Sequence, residues 1–268
     1  ALGTATFVDG ASNDVTIYTY APNGNADGDA TNDTTAASYF TSLNGTYTIA
    51  GTTPDFNTVQ DAIDALHDQG ICGPVVFNVA PGSYAIEDTL LEVVGASFTN
   101  TITFDGGDAS TTEWTGDGTS QNSVLLLEGA DHVTIQNLTI TQNKTGDDAW
   151  GIRLAQEANY NTIANCVLTM PPGSGLDRSL IAANASDIAD GSNGNNANFL
   201  TISNNTITGG YWAVNLSGES TSRSDSFRVE NNTITEFNNA GIYAEDINFL
   251  FVENNFLRDL AGSTSDEI

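Results

Sequence analysis

A six-residue phrase recurs five times in the sequence, each time with an asparagine in its third position. In each copy an apolar residue stands two places before the asparagine and another stands three places after it. The asparagines are Asn137, Asn165, Asn204, Asn231 and Asn254, with spacings of 28, 39, 27 and 23 residues. A recurrence of roughly 20–50 residues with a fixed core and variable insertions is typical of a solenoid. Because the phrase alternates as a strand does, the sequence predicts an all-β fold, a parallel β-helix.

The repeated phrase also predicts how side chains are arranged. With a side-chain period of two, the aliphatic residues that precede the asparagines point inward and stack on one another. These residues are Ile135, Ile163, Ile202, Val229 and Val252. The asparagines stack at a tight turn, where asparagine tolerates a left-handed backbone, and their amides hydrogen-bond along the stack. We therefore expect the asparagines to have a structural role.

The charge of the chain excludes two classes of partner. It has 34 acidic and 6 basic residues, a formal net charge of −28. Such a surface repels phosphate backbones and anionic lipids, so we expect no nucleic-acid partner and no binding to a membrane surface. No apolar run reaches the length of about 18 residues that a membrane-spanning helix needs, and the sequence predicts no membrane span.

The sequence divides into two parts. Residues 1–45 are predicted to form a short β-hairpin-like segment, either the remnant of an immunoglobulin-like domain or an edge hairpin of the solenoid. Residues 46–268 are predicted to form the β-helix, with a capping helix at about 57–69. Val59, Ala62, Ile63 and Leu66 give this helix an apolar stripe at helical spacing. Thr58 and Asp61 resemble a capping box, and Gly70 is a C-terminal stop.

The end of the chain and its two cysteines leave questions open. The sequence stops shortly after the fifth repeat without an evident capping element, which predicts truncation at the C-terminus or a neighbouring subunit. Self-association through the solenoid ends is therefore one predicted mode of assembly. Cys72 and Cys166 either pair as a disulfide or remain a loop thiol and a buried small residue.

The helix and the strand that follows it carry a resemblance to a known family. Residues 56–65, then a strand, then Pro81-Gly82-Ser83-Tyr84, resemble the N-terminal cap of the pectin-lyase-like superfamily of right-handed parallel β-helices. The wider run of residues 45–79 is similar to β-helix domains of large bacterial secreted and surface proteins. The resemblance covers about residues 45–260. It implies a right-handed β-helix and a secreted or cell-surface location.

One group of charged residues is a candidate ligand surface. Glu230 and Glu253 belong to adjacent repeats and should lie side by side, about 4.8 Å apart, with Arg228 next to Glu230. Paired carboxylates share a cation, raise one another's pKa or are neutralised by arginine. Resemblance to pectate lyases implies a calcium ion held by such acids beside an arginine base. The alternative interpretation is an ordinary surface ion pair.

Two further sets of residues are candidates. Trp114 and Tyr160 are candidates for stacking on a sugar ring. The segment 23–29 places oxygen ligands at alternate positions, as at the start of a calcium loop, and is otherwise a polar turn stabilised by Asx hydrogen bonds. The candidate calcium ligands are Asn23, Asn25, Asp27 and Asp29.

These observations favour a non-catalytic module. The repeats strongly indicate a β-helix, yet the sequence has no Gly-x-Ser-x-Gly, no Gly-His-Gly and no paired-Asp pattern on a repeat strand. We expect a structural or adhesive module of a secreted or cell-surface bacterial protein that binds a polysaccharide or cell-surface glycan or forms filaments. The alternative function is a calcium-assisted polysaccharide lyase or hydrolase that acts on the β-helix face.

Overall fold

The polypeptide winds through three parallel sheets and contributes a strand to each sheet in successive coils. The computed structural model describes residues 6–7, 12–18, 34–171, 177–183 and 196–259. Within each sheet, an inner strand pairs with the strand one coil earlier and the strand one coil later. Stacked parallel sheets of this order define a parallel β-helix, so the predicted fold class is confirmed.

Each sheet takes one side of the solenoid. The first sheet contains Leu43–Ile49, Ile71–Val79, Ile102–Asp105, Val133–Gln136, Thr162–Ala164, Thr201–Ser203, Phe227–Glu230 and Leu250–Glu253. The second contains Gly82–Ala85, Thr112–Gly116, Thr139–Gln142, Val167–Thr169, Thr206–Thr208, Thr233–Phe237 and Phe256–Asp259. The third contains Asp88–Leu91, Ser123–Glu128, Ala149–Ala155, Arg178–Ala183, Trp212–Ser217 and Ala240–Glu245.

A separate two-stranded sheet precedes the solenoid. Strands Ser12–Tyr18 and Thr34–Phe40 pair antiparallel, with Ser12 opposite Phe40 and Tyr18 opposite Thr34. This confirms the predicted β-hairpin-like segment. The first strand of the solenoid begins at Leu43. The division of the chain at residue 45, and the origin of the hairpin as a domain remnant or an edge element, stay predictions.

The helix Val59–Gln69 is the predicted N-terminal capping element. Thr58 accepts a hydrogen bond from the Asp61 backbone N–H at 3.0 Å, and the Asp61 carboxylate accepts one from the Thr58 N–H at 3.0 Å. This reciprocal pair is the predicted capping box. The helix ends at Gly70, whose positive φ of 61° suits glycine. Its buried face consists of Val59, Ala62, Ile63, Ala65 and Leu66.

The repeated phrases stack in register. Ile135, Ile163, Ile202 and Val229 pair in adjacent strands and are fully buried, while Val252 in the last described coil is 48% exposed. All five repeat asparagines have left-handed φ angles between 54° and 58°. Each phrase therefore contains two short strands, one in the first sheet and one in the second, joined by a left-handed turn.

The amide ladder differs from the predicted one by a single residue. The hydrogen-bonded amides belong to Asn205, Asn232 and Asn255, each of which follows a repeat asparagine. Asn232 Oδ1 accepts the backbone N–H of Asn205 at 2.9 Å, and Asn255 Oδ1 accepts that of Asn232 at 2.9 Å. Asn232 Nδ2 donates to the carbonyl oxygen of Ile202 at 3.0 Å. The turn asparagines adopt the left-handed backbone, and the asparagines that follow the last three of them form the ladder.

The two cysteines are not paired. Cys72 is exposed and Cys166 is buried, and both are free thiols. Cys166 occupies the amide-ladder position one coil before Asn205, whose Oδ1 accepts the Cys166 backbone N–H at 2.9 Å. Burial raises the pKa of the Cys166 thiol to about 12, so this cysteine is unreactive at neutral pH.

Three basic residues at or beside the third sheet bind groups of the chain itself. The Arg178 guanidinium donates to the carbonyl oxygens of Lys144, Gly146 and Pro171, and burial lowers its pKa. Lys144 Nζ donates to Asn122 Oδ1 at 2.7 Å. Arg153 is buried, with its guanidinium carbon 4.1 Å from the centroid of the Trp150 ring. Arg178 and Lys144 therefore hold loop backbone in place, and Arg153 packs on an indole ring.

The amide ladder makes a testable prediction about stability. We expect Asn232→Ala to lower the free energy of unfolding by about 2–4 kcal/mol, because the buried Asn205 donors lose their acceptor and the Ile202 carbonyl oxygen loses its donor. Asn231→Gly is the matched control, since the neighbouring residue is exposed and its φ of 58° suits glycine. Denaturant titration measures both, and equal destabilisation of the two variants would contradict the ladder.

Candidate functional site

A column of turn residues precedes the strands of the first sheet. The strand register places one residue of this column in each coil, immediately before the residue that starts or precedes the strand. The column consists of His132, Tyr160, Phe199, Ser226 and Phe249. Its first four members have left-handed φ angles of 56–59°. Four of its five side chains are aromatic rings, so this edge of the solenoid is a candidate binding surface.

Three of these rings stack face to face. The centroids of His132 and Tyr160 are 4.9 Å apart with an interplanar angle of 6°, and those of Tyr160 and Phe199 are 4.6 Å apart at 6°. Phe98, from the loop before the third strand of the first sheet, contacts His132 and Tyr160 edge to face, each at 4.7 Å. We call Phe98, His132, Tyr160 and Phe199 the aromatic platform.

The backbone of the platform is in a costly conformation. Tyrosine and phenylalanine seldom adopt a left-handed φ, whereas asparagine and glycine do so readily. The same coils place asparagine at their other left-handed turn, as at Asn165 and Asn204. Stacking contributes about 0.5–1.5 kcal/mol per aromatic pair and offsets this cost. Exposed rings held on a strained backbone point to a functional surface.

A second column holds the platform in place. Asp131 accepts the backbone N–H of Asn159 at 2.6 Å, Asn159 Oδ1 accepts that of Asn198 at 2.8 Å, and Asn198 Oδ1 accepts that of Asp225 at 2.8 Å. Each of these residues directly precedes a member of the turn column. The side chain of one coil therefore fixes the turn of the next coil, and the rings are preorganised.

The platform is accessible and lies in an acidic environment. Phe98 is 74% exposed and Phe199 is 44% exposed. Burial raises the pKa of Asp131, the nearby carboxylates of Glu92 and Glu157 raise it further, and the Asn159 N–H and His132 oppose this shift. A solvent-exposed aromatic strip beside carboxylates combines apolar contact with hydrogen-bond acceptors.

Threonines extend the surface from the platform onto the first sheet. Thr134, Thr162 and Thr201 are Cα partners in adjacent strands, and their side chains alternate with the buried residues. The next two positions of this row are Arg228 and Phe251. The Arg228 guanidinium carbon lies 5.3 Å from the Phe251 ring centroid. Hydroxyl, guanidinium and aromatic groups therefore continue the face along the solenoid.

The predicted charged group lies on this same face. Glu230 and Glu253 are Cα partners in adjacent strands, as expected. Arg228 Nη1 lies 3.0 Å from Glu230 Oε2 in a partly exposed ion pair. The guanidinium is therefore bound to a carboxylate and placed against Phe251. A role for Arg228, Glu230 and Glu253 in binding a ligand stays a prediction.

The two predicted sugar-stacking residues have different outcomes. Tyr160 lies at the centre of the aromatic platform, so its ring is on the candidate surface, and its sugar contact stays a prediction. The prediction for Trp114 is wrong, because its side chain is fully buried and packs edge to face on Phe104 at 5.7 Å. Trp114 lies on the strand Thr112–Gly116, where its parity points it into the core.

The candidate calcium ligands Asn23, Asn25, Asp27 and Asp29 lie outside the described residues. Within the described ranges, no group of three or more His, Cys, Asp or Glu side chains is arranged to hold a metal ion. Calcium binding at residues 23–29 therefore stays a prediction. In the same part of the chain, no helix has the length and apolar character required to cross a membrane.

Sequence reasoning found one of the four platform residues and missed three. His132, Tyr160 and Phe199 each stand five positions before a repeat asparagine, with spacings of 28 and 39 residues that match those of Asn137, Asn165 and Asn204. This common offset from the repeat asparagines is the sequence feature that could have identified the three residues. Phe98 precedes the first repeat and has no counterpart in the pattern, so only its contacts reveal it.

A cavity of about 280 Å³ near the second sheet is a less suitable site. Five consecutive backbone N–H groups, from Asp117 to Gln121, donate to the Glu87 carboxylate at its edge, including Asp117 at 2.7 Å and Ser120 at 2.6 Å. These N–H groups would otherwise bind an anion. Because Glu87 occupies them, the arrangement fastens the loop and is not an anion site.

Comparisons with known proteins find similarity among solved structures. No protein family and no curated protein matches the sequence. Among solved structures, pectin methylesterase from Aspergillus niger is similar over 84% of this chain and 88% of its own, at 12% identity and a TM-score of 0.40. A rhamnogalacturonan lyase is similar over 79% and 62%, at 13% identity and 0.27, and Geobacillus virus E2 ORF18 over 81% and 59%, at 11% and 0.21. Similarity at this level does not transfer an activity.

The Glu87 contact makes stability depend on pH. Burial raises the pKa of Glu87, but the N–H groups of Ser120, Gly118, Asp117 and Gln121 outweigh burial and lower the pKa below its usual range. The stabilisation is therefore complete above the unfolded pKa of about 4.3 and is lost as pH falls through the lower folded pKa. We expect Glu87→Gln to lower the melting temperature at pH 7 and to match the wild type near pH 2. A difference that is constant with pH would contradict this account.

Proposed function

We propose that this chain is a non-catalytic glycan-binding module of a secreted or cell-surface protein, and that the aromatic platform is its binding surface. The observation that carries the proposal is the strip of stacked rings, His132, Tyr160 and Phe199, with Phe98 standing out beside it. One face of a pyranose ring carries C–H groups and is apolar, while its edge carries hydroxyls. An aromatic face next to polar side chains matches both parts.

The exposure of the rings supports a partner. An aromatic side chain that stays in contact with water does not gain the free energy of burial. Contiguous apolar patches on the surface of a protein mark interaction sites. Phe98 forms two edge-to-face contacts yet remains largely exposed. The threonine row and Arg228 next to the platform provide donors and acceptors for hydroxyl groups.

The charge of the chain favours a neutral glycan. With a formal net charge of −28, the surface repels a polyuronate chain unless cations screen it. Asp131, Glu92 and Glu157 lie close enough to interact electrostatically beside His132. Carboxylates accept hydrogen bonds from sugar hydroxyls without requiring charge on the sugar. We therefore assign a neutral polysaccharide to this surface.

Two observations favour binding over catalysis. The Asp105 carboxylate on the first sheet accepts hydrogen bonds from the amides of Gln136 at 2.7 Å and Asn137 at 2.9 Å. Burial raises the pKa of Asp105, but these two amides and the Gly107 N–H outweigh burial and lower it. The carboxylate is therefore a weak base. Arg228 is held in its ion pair with Glu230. A calcium-assisted lyase or hydrolase on this face stays the alternative prediction, as do adhesion, filament formation and association through the solenoid ends.

Binding to neutral polysaccharides tests the proposal. We expect the wild type to be retarded in affinity electrophoresis through glucans, xylans or mannans, and not through polygalacturonate. Phe98→Ala should weaken binding about tenfold, because one stacking contact of about 1.4 kcal/mol is lost. Phe256→Ala is the matched control, since Phe256 is 57% exposed on the second sheet, away from the platform.

Equal weakening by both substitutions, or no retardation by any neutral polysaccharide, would overturn the proposed function. The lyase alternative has its own assay, in which uronic-acid polymers are incubated with calcium and unsaturated products are measured. Cleavage that disappears in Arg228→Ala would establish catalysis on the first sheet in place of binding alone.

A further inference from the structure

One position interrupts the aromatic turn column. The strand register places Ser226 one coil after Phe199 and one coil before Phe249. Ser226 has the same left-handed backbone as its neighbours in the column, with φ of 57° against 59° for Tyr160 and 56° for Phe199. A serine therefore stands where a fourth ring would continue the stack.

The interruption leaves an exposed phenylalanine ring in the coil on each side of Ser226. Tyr160 lies between His132 and Phe199 and is only partly exposed, whereas Phe199 has a stacked ring on one side and is 44% exposed. Phe249, on the far side of Ser226, is 58% exposed. Both rings present apolar surface next to a side chain too small to cover it.

The spacing between these two coils accommodates one ring. Adjacent coils are about 4.8 Å apart, so the coils of Phe199 and Phe249 are separated by about 9.6 Å. Rings within the column stack at 4.6–4.9 Å. One added ring above Ser226 would lie at the stacking distance from each neighbouring coil.

Polar groups border the same position and its backbone is fixed. Ser226 Oγ donates to Asp225 Oδ1 at 2.7 Å, and Arg228 follows two residues later. The Phe199 N–H donates to the Asp225 carbonyl oxygen at 2.9 Å, and the Phe227 N–H donates to the Phe249 carbonyl oxygen at 2.8 Å. These bonds hold the backbone of three successive coils in place, which lowers the entropic cost of binding.

We infer that Phe199, Ser226 and Phe249 form a specific subsite that takes a single neutral sugar ring between the two phenylalanines, with Asp225 and Arg228 bonding its hydroxyls. The inference rests on the proposed function and deepens it, because it assigns the position at which one residue of the polysaccharide inserts. The platform then supports the neighbouring sugars. A neutral sugar fits this subsite because a carboxylate borders it and because Arg228 is already paired with Glu230.

Filling the subsite from within the chain tests the inference. Ser226→Tyr places a ring where the sugar would lie, at a backbone φ that Tyr160 already adopts. We expect this variant to keep or raise the wild-type melting temperature, because the added ring extends the stack, and to bind the retarding neutral polysaccharide at least tenfold more weakly. Thr206→Tyr is the matched control, since it adds the same ring at an exposed position of the second sheet, away from the subsite, and should change Kd less than twofold.

Phe249→Ala keeps the test decisive if Ser226→Tyr does not fold. It removes one wall at an exposed position and should weaken binding at least fivefold with little change in melting temperature. Unchanged affinity in folded Ser226→Tyr, or in Phe249→Ala, would overturn the subsite while leaving the proposed function in place. A wild type that binds no neutral polysaccharide would overturn both.

Discussion

Backbone pairing between successive coils is the constraint on which the rest of the structure depends. Each inner strand is bonded to a strand one coil before it and one coil after it, so equivalent residues of different coils lie about 4.8 Å apart. Whatever residue a coil places at a given position therefore touches the same position of its neighbours. The buried aliphatic columns, the amide ladder of Asn205, Asn232 and Asn255, and the aromatic platform are all consequences of this one repeat distance.

The same constraint connects the interior to the candidate surface. Asn232 satisfies buried backbone groups of the preceding coil and has its own satisfied by the following one, which fixes the height of each turn. Asp131, Asn159 and Asn198 do the same at the turns that carry the rings. On these turns the rings of His132, Tyr160 and Phe199 stack face to face. The candidate surface is thus rigid, because the hydrogen bonds of the neighbouring polar column fix the register of the turns.

The sequence predicts the architecture well because the period of two and the recurring asparagine act together. The sequence-based prediction of side-chain direction is wrong where a left-handed turn changes which residues point inward. Asn231 and Asn232 are chemically identical neighbours, and only the backbone shows that the second amide faces inward. Trp114 lies before the first repeat phrase, so the repeat does not indicate which way its side chain points. The platform was predictable in part, since Tyr160 stands at the same offset from its asparagine as His132 and Phe199, but Phe98 is brought there by a loop.

The three cations that bind groups of their own chain alter how the molecule behaves among copies of itself. The chain has only six basic residues, and Lys144, Arg153 and Arg178 are committed to carbonyl oxygens, an amide oxygen and an indole ring. Arg223 and Arg228 are paired with Asp246 and Glu230. The sixth, Arg258, is exposed on the last described strand. The surface therefore carries a large excess of negative charge, and the range of its repulsion is set by the Debye length of about 8 Å at physiological ionic strength. Because of where these few cations lie, copies of the molecule repel one another at low salt. They approach closely only where counter-ions accumulate.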